Sequence, residues 1–214
     1  MAYPMMFQSK DWETFEITFR CLQSRLLMKP GTEANRRYVG VVGRTLYLYG
    51  EHIKFHFAGS TSNHSHLIVT SENAYWKARF KCHLKTNLSK ELGDLHEWKE
   101  HLFSRRCRDI PIPDDVALRE RLVYLAAHGV KENLIRTPYT WPGANWVHAA
   151  TEDKPLKGVW YDRTRLHALR NEWETADKTT RGARPTLADV LHEYEVKLEP
   201  VGYLADLTPD QRKA

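Results

Sequence analysis

The sequence is short of the features that mark secreted, membrane-spanning and repetitive proteins. It has 3 cysteines among 214 residues and no Cys-x-x-Cys pair, which favours free thiols in a reducing compartment over a disulfide framework. No stretch approaches the roughly 18 consecutive apolar residues of a membrane span. The first residues lack a basic segment followed by an apolar one, and we find no internal repeat. These absences predict a cytoplasmic protein with no membrane partner.

The charge that is present is uneven along the chain. The formal net charge is +5 and the sequence pI is about 9.0. Residues 1–150 carry 21 Lys and Arg against 15 Asp and Glu, whereas residues 151–214 carry 11 against 12. The basic excess therefore belongs to the first 150 residues, and it favours an anionic partner for that part.

The apolar pattern of residues 12–112 predicts an α+β fold. Alternation and helical periodicity indicate strands at 12–20, 53–58 and 64–69, helices at 32 to about 50 and 72 to about 92, and a short edge strand within 105–112. Thr32 and Ser71 are the expected helix caps. This order is the split βαβ arrangement, so we expect a ferredoxin-like sandwich with an antiparallel sheet.

The rest of the chain is predicted to be mostly helical. A third helix is expected to start at Asp114 or Asp115 and to stop at His128-Gly129. Residues 130–147 have no regular pattern, and two polar helices are expected at 163–176 and 186–198. We therefore predict a domain at 1–150 and a helical C-terminal extension of unknown role at 151–214.

Two histidines at the start of one predicted strand are the first candidate for chemistry. A strand places alternate side chains on one face, so His64 and His66 would lie one pleat apart and could hold one metal ion. Because the chain contains 11 histidines, such a pair also arises readily by chance. On this pattern alone, two ordinary hydrogen-bonded strand histidines remain the alternative.

The third predicted helix offers a second candidate. Tyr124 and His128 are four residues apart, hence on one helical face, while Leu118, Leu122 and Leu125 form an apolar stripe. If that face lay over the strand, three imidazoles and a phenol would share one site. The alternative is a half-buried tyrosine and a histidine favoured by the helix dipole.

Four segments resemble a known family. Ser62 to Leu67 resembles the Asn-His-hydrophobic-His-Leu signature of HUH single-strand DNA endonucleases, and most of all the REP-associated tyrosine transposases. The segments 103–106, 124–135 and 138–143 are similar to later motifs of that family, in the same order. The resemblance covers roughly residues 12–150. Two departures are Ser65, where a hydrophobic residue is usual, and His128, where Asn or Gln is expected.

The resemblance implies a metal-dependent transposase that cuts and rejoins single-stranded DNA beside a hairpin. It implies His64, His66 and His128 as ligands of Mn²⁺ or Mg²⁺, with Zn²⁺ or Ni²⁺ as substitutes in vitro. Tyr124 would be the nucleophile and would form a 5′-phosphotyrosine. Arg105, Arg106 and Arg121 are the candidate contacts to the DNA backbone. The protein would act as a monomer or a homodimer.

Three alternatives share these residues. A domesticated protein of the same fold would bind nucleic-acid hairpins without cutting them. A structural metal site would hold Zn²⁺ and leave Tyr124 as a packing residue. A hydrolytic nuclease would use metal-bound water and form no covalent adduct.

Overall fold

The computed structural model of the chain describes residues 12–104, 106–202 and 206–213. Its strands are β1 (Glu13–Arg20), β2 (Ile53–Ser60), β3 (His64–Ser71), β4 (Arg108–Pro111), β5 (Leu156–Tyr161) and β6 (Leu191–Val196). Its helices are α1 (Thr32–Tyr49), α2 (Ala74–Leu95), α3 (Asp115–Ala126), α4 (His128–Lys131), α5 (Trp146–Glu152), α6 (Arg163–Thr175) and α7 (Pro209–Lys213).

The first four strands form one antiparallel sheet in the order β2-β3-β1-β4. In chain order the elements run strand, helix, strand, strand, helix, strand, which is the split βαβ arrangement. The predicted ferredoxin-like fold with an antiparallel sheet is therefore confirmed. The short β4 lies at the edge of the sheet, as its prolines predict.

One face of the sheet is covered by α1 and α2. Of the apolar stripe predicted for α2, Phe80, Leu84, Leu88 and Leu92 are buried and Trp76 is half-buried. On the sheet, alternate side chains such as Ile17 and Leu67 are completely buried. Because alternation sends every second side chain to the opposite face, the histidines of β3 lie on the face away from this core.

Two of the predicted helix caps differ in the structure. Gly31, not Thr32, precedes α1, and Ser71 is the last residue of β3. Asn73 caps α2, because its side chain accepts a hydrogen bond from the backbone N–H of Trp76. Asp114 caps α3 in the predicted way, by accepting from the backbone N–H of Ala117.

The predicted helix at 186–198 is wrong. That segment contains a short 3₁₀ turn followed by β6, which pairs with β5 in a separate antiparallel two-stranded sheet. The C-terminal region thus contains a two-stranded sheet, and between its strands lies α6, the one of the two expected helices that does form. Pairing with β5, which lies some 30 residues earlier in the chain, overrides the local preference of this polar segment.

The small sheet packs directly on α1 through two glycines. A Cβ atom on Gly40 would lie 1.9 Å from the carbonyl oxygen of Val159, and one on Gly158 would lie 2.2 Å from the backbone nitrogen of Gly40. Only glycine allows the two backbones to approach this closely. The two-stranded C-terminal sheet is therefore packed against α1. The division at residue 150 remains a prediction.

Among the described residues, no helix has the length and apolarity needed to cross a bilayer.

Candidate metal centre

The two histidines of β3 share one face of the sheet. The rings of His64 and His66 have centroids 5.1 Å apart. Ser65, between them, lies on the opposite face, where its hydroxyl is 2.7 Å from the Tyr38 hydroxyl and 2.9 Å from that of Ser60. Ser65 therefore points away from the histidines, as predicted, and the departure from the family pattern does not touch their face.

A third imidazole reaches this face from the helical side. The His128 ring lies 4.9 Å from that of His64 and 5.3 Å from that of His66. One nitrogen of each histidine can be chosen so that all three lie within 4.8 Å of one another. The predicted ligands are thus brought together by a strand and a helix that lie more than 60 residues apart in sequence.

A glycine on β2 permits this approach. Gly59 pairs with His66 across the sheet, and a Cβ atom there would lie 3.2 Å from the carbonyl oxygen of Leu125, near the end of α3. The helix was predicted to run to His128-Gly129. Instead α3 ends at Ala126, and His128 begins the separate turn α4. The break directs His128 inward, and its side chain is buried.

The two strand histidines each have an oxygen partner on Nδ1. For His64 these partners are Asn63 Oδ1 at 2.6 Å and Thr61 Oγ1 at 2.8 Å. His66 Nδ1 donates to Glu16 Oε1 at 2.7 Å, because a carboxylate can only accept. A proton held on Nδ1 leaves the lone pair of Nε2 available, which is the usual arrangement of metal-binding histidines.

The partners of His128 differ. Its Nδ1 is buried and has no hydrogen-bond partner among the described residues, while Nε2 lies 3.9 Å from Glu132 Oε1. A buried polar nitrogen without a partner costs free energy unless a ligand satisfies it. Three neutral imidazoles suit Fe²⁺, Zn²⁺ or Ni²⁺ on grounds of ligand softness. The donor set therefore fits a transition-metal ion and identifies this triad as a candidate metal centre.

The electrostatics favour neutral histidines. Burial, followed by the charges of His66, His128 and Arg20, lowers the pKa of His64 to about 4. Burial is also the main cause of the lowered pKa of His128. Both imidazoles are thus uncharged at neutral pH, the form that binds metal. By contrast, the hydrogen bond from His66 is the largest cause of the lowered pKa of Glu16, which keeps that carboxylate ionised.

The low pKa of His64 predicts a pH-dependent stability of the metal-free protein. In the unfolded chain the His64 imidazole has an ordinary pKa near 6.5, so it binds a proton below that pH. In the folded protein it binds the proton only at about pH 4. The contribution of His64 to the free energy of unfolding is therefore complete above pH 6.5, and it is lost as the pH falls from 6.5 to 4. Thermal melts in a chelating agent should show this fall, and His64→Ala should make it shallower. An equally steep fall in the variant would contradict the assignment.

Tyr124 lies beside the triad. Its partly buried side chain is on α3, its ring is 5.6 Å from that of His128, and Lys131 Nζ lies 4.7 Å from the ring centroid. The predicted juxtaposition of a phenol with three imidazoles is thus present. The lysine also places a positive charge next to the tyrosine.

The three predicted arginines have different surroundings. Arg105 lies outside the described residues, and Arg106 is exposed shortly before β4. Arg121 is about 43 % exposed and its Nε lies 3.5 Å from Glu16 Oε2. Their predicted contact to DNA stays a prediction.

Sequence reasoning missed the residues on β1 that adjoin the triad. Thr18 is opposite His66 and Arg20 is opposite His64 in the strand register. The polar positions Glu16, Thr18 and Arg20 alternate with apolar ones, so the polar face of β1 was visible in the sequence. The pairing of β1 with β3, which brings that face to the histidines, was not.

Comparisons with known proteins agree with the fold. A solved structure of a REP-associated tyrosine transposase bound to a REP hairpin is similar, with a TM-score of 0.53 and 14% sequence identity over 67% of this chain and 81% of that chain. At this identity the likeness shows a shared fold. Comparison of the sequence with models of protein families and with curated proteins finds no match.

Proposed function

We propose that the protein is a metal-dependent endonuclease and strand transferase, a transposase acting on single-stranded DNA next to a hairpin. The observation that carries the proposal is the position of Tyr124, one helical turn before His128 and beside a histidine triad. A structural metal site has no need of a phenol at its side. A phosphoryl-transfer site needs both a cation and a nucleophile.

His64, His66 and His128 would hold the ion, Mn²⁺ or Mg²⁺. When bound there, it supplies Lewis-acid polarisation of a phosphate oxygen. The chain's own residues do the rest of the work. Glu16, Asn63 and Thr61 hold protons on the outer nitrogens of the strand histidines, and β3 keeps both rings on one rigid platform.

Tyr124 is the proposed nucleophile. Its Oη attacks the phosphorus of the scissile phosphodiester, the Oη–P bond forms and the P–O3′ bond breaks. The phenolic proton passes to solvent water, and the departing 3′-oxygen takes up a proton from solvent to become a hydroxyl. The product is a 5′-phosphotyrosine. In the reverse step, a DNA 3′-hydroxyl attacks its phosphorus, which rejoins the strand and releases Tyr124. Because the phosphotyrosine keeps the energy of the broken phosphodiester bond, rejoining needs no nucleoside triphosphate.

Hairpin-flanked single-stranded DNA is the proposed substrate. The basic excess of the first 150 residues suits a polyanion, and the similar transposase structure holds a REP hairpin. Arg105, Arg106 and Arg121 are the proposed contacts to phosphates. Contacts of this kind position the strand without reading its sequence.

A covalent-adduct assay tests the proposal. The protein is mixed with Mn²⁺ and labelled single-stranded DNA carrying the hairpins that adjoin its own gene, and the products are run on a denaturing gel. We expect a slow protein–DNA band with the wild type and none with Tyr124→Phe, because the variant lacks the attacking oxygen. Tyr47→Phe is the control, since Tyr47 is an exposed tyrosine on α1 that contacts Tyr194 instead of the triad.

The other outcomes identify the alternatives. Cleavage without an adduct, retained in Tyr124→Phe, would indicate a hydrolytic nuclease. Tight hairpin binding with no cleavage in Mn²⁺, Mg²⁺ or Zn²⁺ would indicate a domesticated binding protein. Either result overturns the tyrosine mechanism.

A further inference from the structure

One acidic residue of β1 is buried between two apolar neighbours. Glu16 is only 2% exposed, and in the sheet register it is opposite Ile68 on β3 and Ile110 on β4. A buried carboxylate costs free energy even when it is paired, and an apolar side chain at such a position is often more stabilising. Packing therefore gives no reason for a glutamate here.

The two oxygens of Glu16 have different partners. Oε1 accepts the hydrogen bond from His66 Nδ1 at 2.7 Å. Oε2 is buried with no hydrogen-bond partner in the described part of the chain, and its nearest charge is Arg121 Nε at 3.5 Å. The carboxylate thus connects a strand histidine to an arginine of α3.

That arginine belongs to the helical segment that brings the rest of the site. Arg121 is three residues before Tyr124, so these two side chains project toward the same side of α3. An ion pair between Glu16 and Arg121 therefore joins β1 to the helix that carries the tyrosine.

We propose that Glu16, supported by Arg121, is a positioning residue for the metal centre. The carboxylate keeps the proton of His66 on Nδ1 and holds the ring so that Nε2 faces His64 and His128. Arg121 balances the charge of Glu16 and holds α3 against the sheet. The inference rests on the metal site of the proposed function, and it gives Arg121 a role that exists before any DNA is bound.

Metal affinity measured without DNA tests this inference. Titration calorimetry with Mn²⁺ would compare the wild type, Glu16→Gln, Glu16→Leu, Arg121→Gln and, as a control, Glu13→Gln at the far end of the same strand. Loss of an outer partner of a ligating histidine typically weakens binding by about 10- to 100-fold. We expect an affinity loss in that range for both Glu16 variants, a smaller loss for Arg121→Gln and no change for Glu13→Gln.

Two further readouts separate positioning from a structural role. Long-range ¹H–¹⁵N NMR of the imidazoles in the metal-free protein should show the Nδ1–H tautomer of His66 in the wild type and a shift toward Nε2–H in Glu16→Leu. The melting temperature of Glu16→Leu should be unchanged or raised, since two isoleucines flank the position. A merely structural glutamate would give the reverse pattern, with a lower melting temperature and normal metal affinity.

The outcomes distinguish this inference from the proposed function. If the wild type binds Mn²⁺ and the Glu16 and Arg121 variants bind it equally well, the positioning role is wrong while the metal site stands. An Nε2–H tautomer of His66 in the metal-free wild type would also overturn it, even if a variant failed to fold. If the wild type binds no metal, both the positioning role and the metal-dependent function fall.

Discussion

His64→Ala is expected to lose Mn²⁺ binding while keeping its fold. Replacement of an outer partner alone costs about 10- to 100-fold in metal affinity, so removal of one of three ligands should cost more than about 100-fold. His64 is half-buried at the start of β3, and its side chain contacts the other two imidazoles and the turn before the strand instead of the main apolar core. The loss of packing on its removal is therefore small.

The measurement combines calorimetry with thermal melting. For a chain of this length, 1 kcal/mol corresponds to about 2–4 °C, and we expect the metal-free variant at pH 7 to melt within about 4 °C of the metal-free wild type. His167→Ala is the control, because His167 is exposed on α6 and its side chain hydrogen-bonds to Asn171, one turn away on the same helix. It should change neither affinity nor melting temperature.

The same pair of measurements decides between a catalytic and a structural metal. In a structural site the binding free energy of the ion is part of the folding free energy, and the metal-free protein unfolds. Here α1 and α2 pack on the face of the sheet away from the triad, where Ile17, Leu67 and Phe80 are fully buried. A wild type that unfolds in a chelating agent, with His64→Ala unfolded at all Mn²⁺ concentrations, would support the structural zinc site and contradict the catalytic one.

The parts of this site that could be predicted from the sequence are those with local spacing. His64 and His66 are two residues apart in a strand, and Tyr124 and His128 are four apart in a helical segment, so a period of 2 or 3.6 places each pair on one face. The approach of the two pairs to each other is determined by tertiary packing. It depends on the close packing of α3 against Gly59, and no sequence feature near Gly59 indicates that Leu125 would be its neighbour.

The parts that could not be predicted depend on strand register or on distant pairing. Glu16 adjoins His66 only because β1 pairs antiparallel with β3 in one register, and a slip of one residue would turn its side chain to the other face. A helix was predicted where β6 forms, because this segment is polar and short. Its partner strand β5 is separated from it in the sequence by α6. Propensity is a weak guide where such pairing decides the structure.

The second large effect is expected outside the triad, at the ion pairs that join the C-terminal region to α1 and α2. Arg163 at the start of α6 makes two contacts with Glu91 of α2, at 3.2 and 3.1 Å, and a third with Asp94 at 3.2 Å. The Glu91 side chain is only 2% exposed, and a second cation, Arg37, has its Nη1 at 3.5 Å from it. The network therefore joins α1, α2 and α6.

Arg163→Ala should destabilise the protein by about 2–3 kcal/mol. Removing one partner of a buried ion pair typically costs 3–5 kcal/mol, and we take a lower value because the Arg163 side chain is 29% exposed. Burial raises the pKa of Glu91, and the charge of Arg163 is the strongest opposing influence on it. Without Arg163 the pKa should rise further. The ionised carboxylate is then the costly form, so the destabilisation should be greatest at pH 7 and should shrink as the pH falls toward 4.

Urea unfolding at pH 7 and pH 5 checks this expectation, with Arg165→Ala as the control on the same helix. Arg165 is 58% exposed and its ion pair with Glu172 is 3.9 Å long, so its loss should cost less than about 1 kcal/mol. If residues 151–214 formed an independent unit, Arg163→Ala would leave the main transition unchanged and alter only the proteolysis of the C-terminal segment. A single transition shifted to a lower urea concentration would instead show that α6 and the β5–β6 sheet contribute to the stability of the fold that carries the triad.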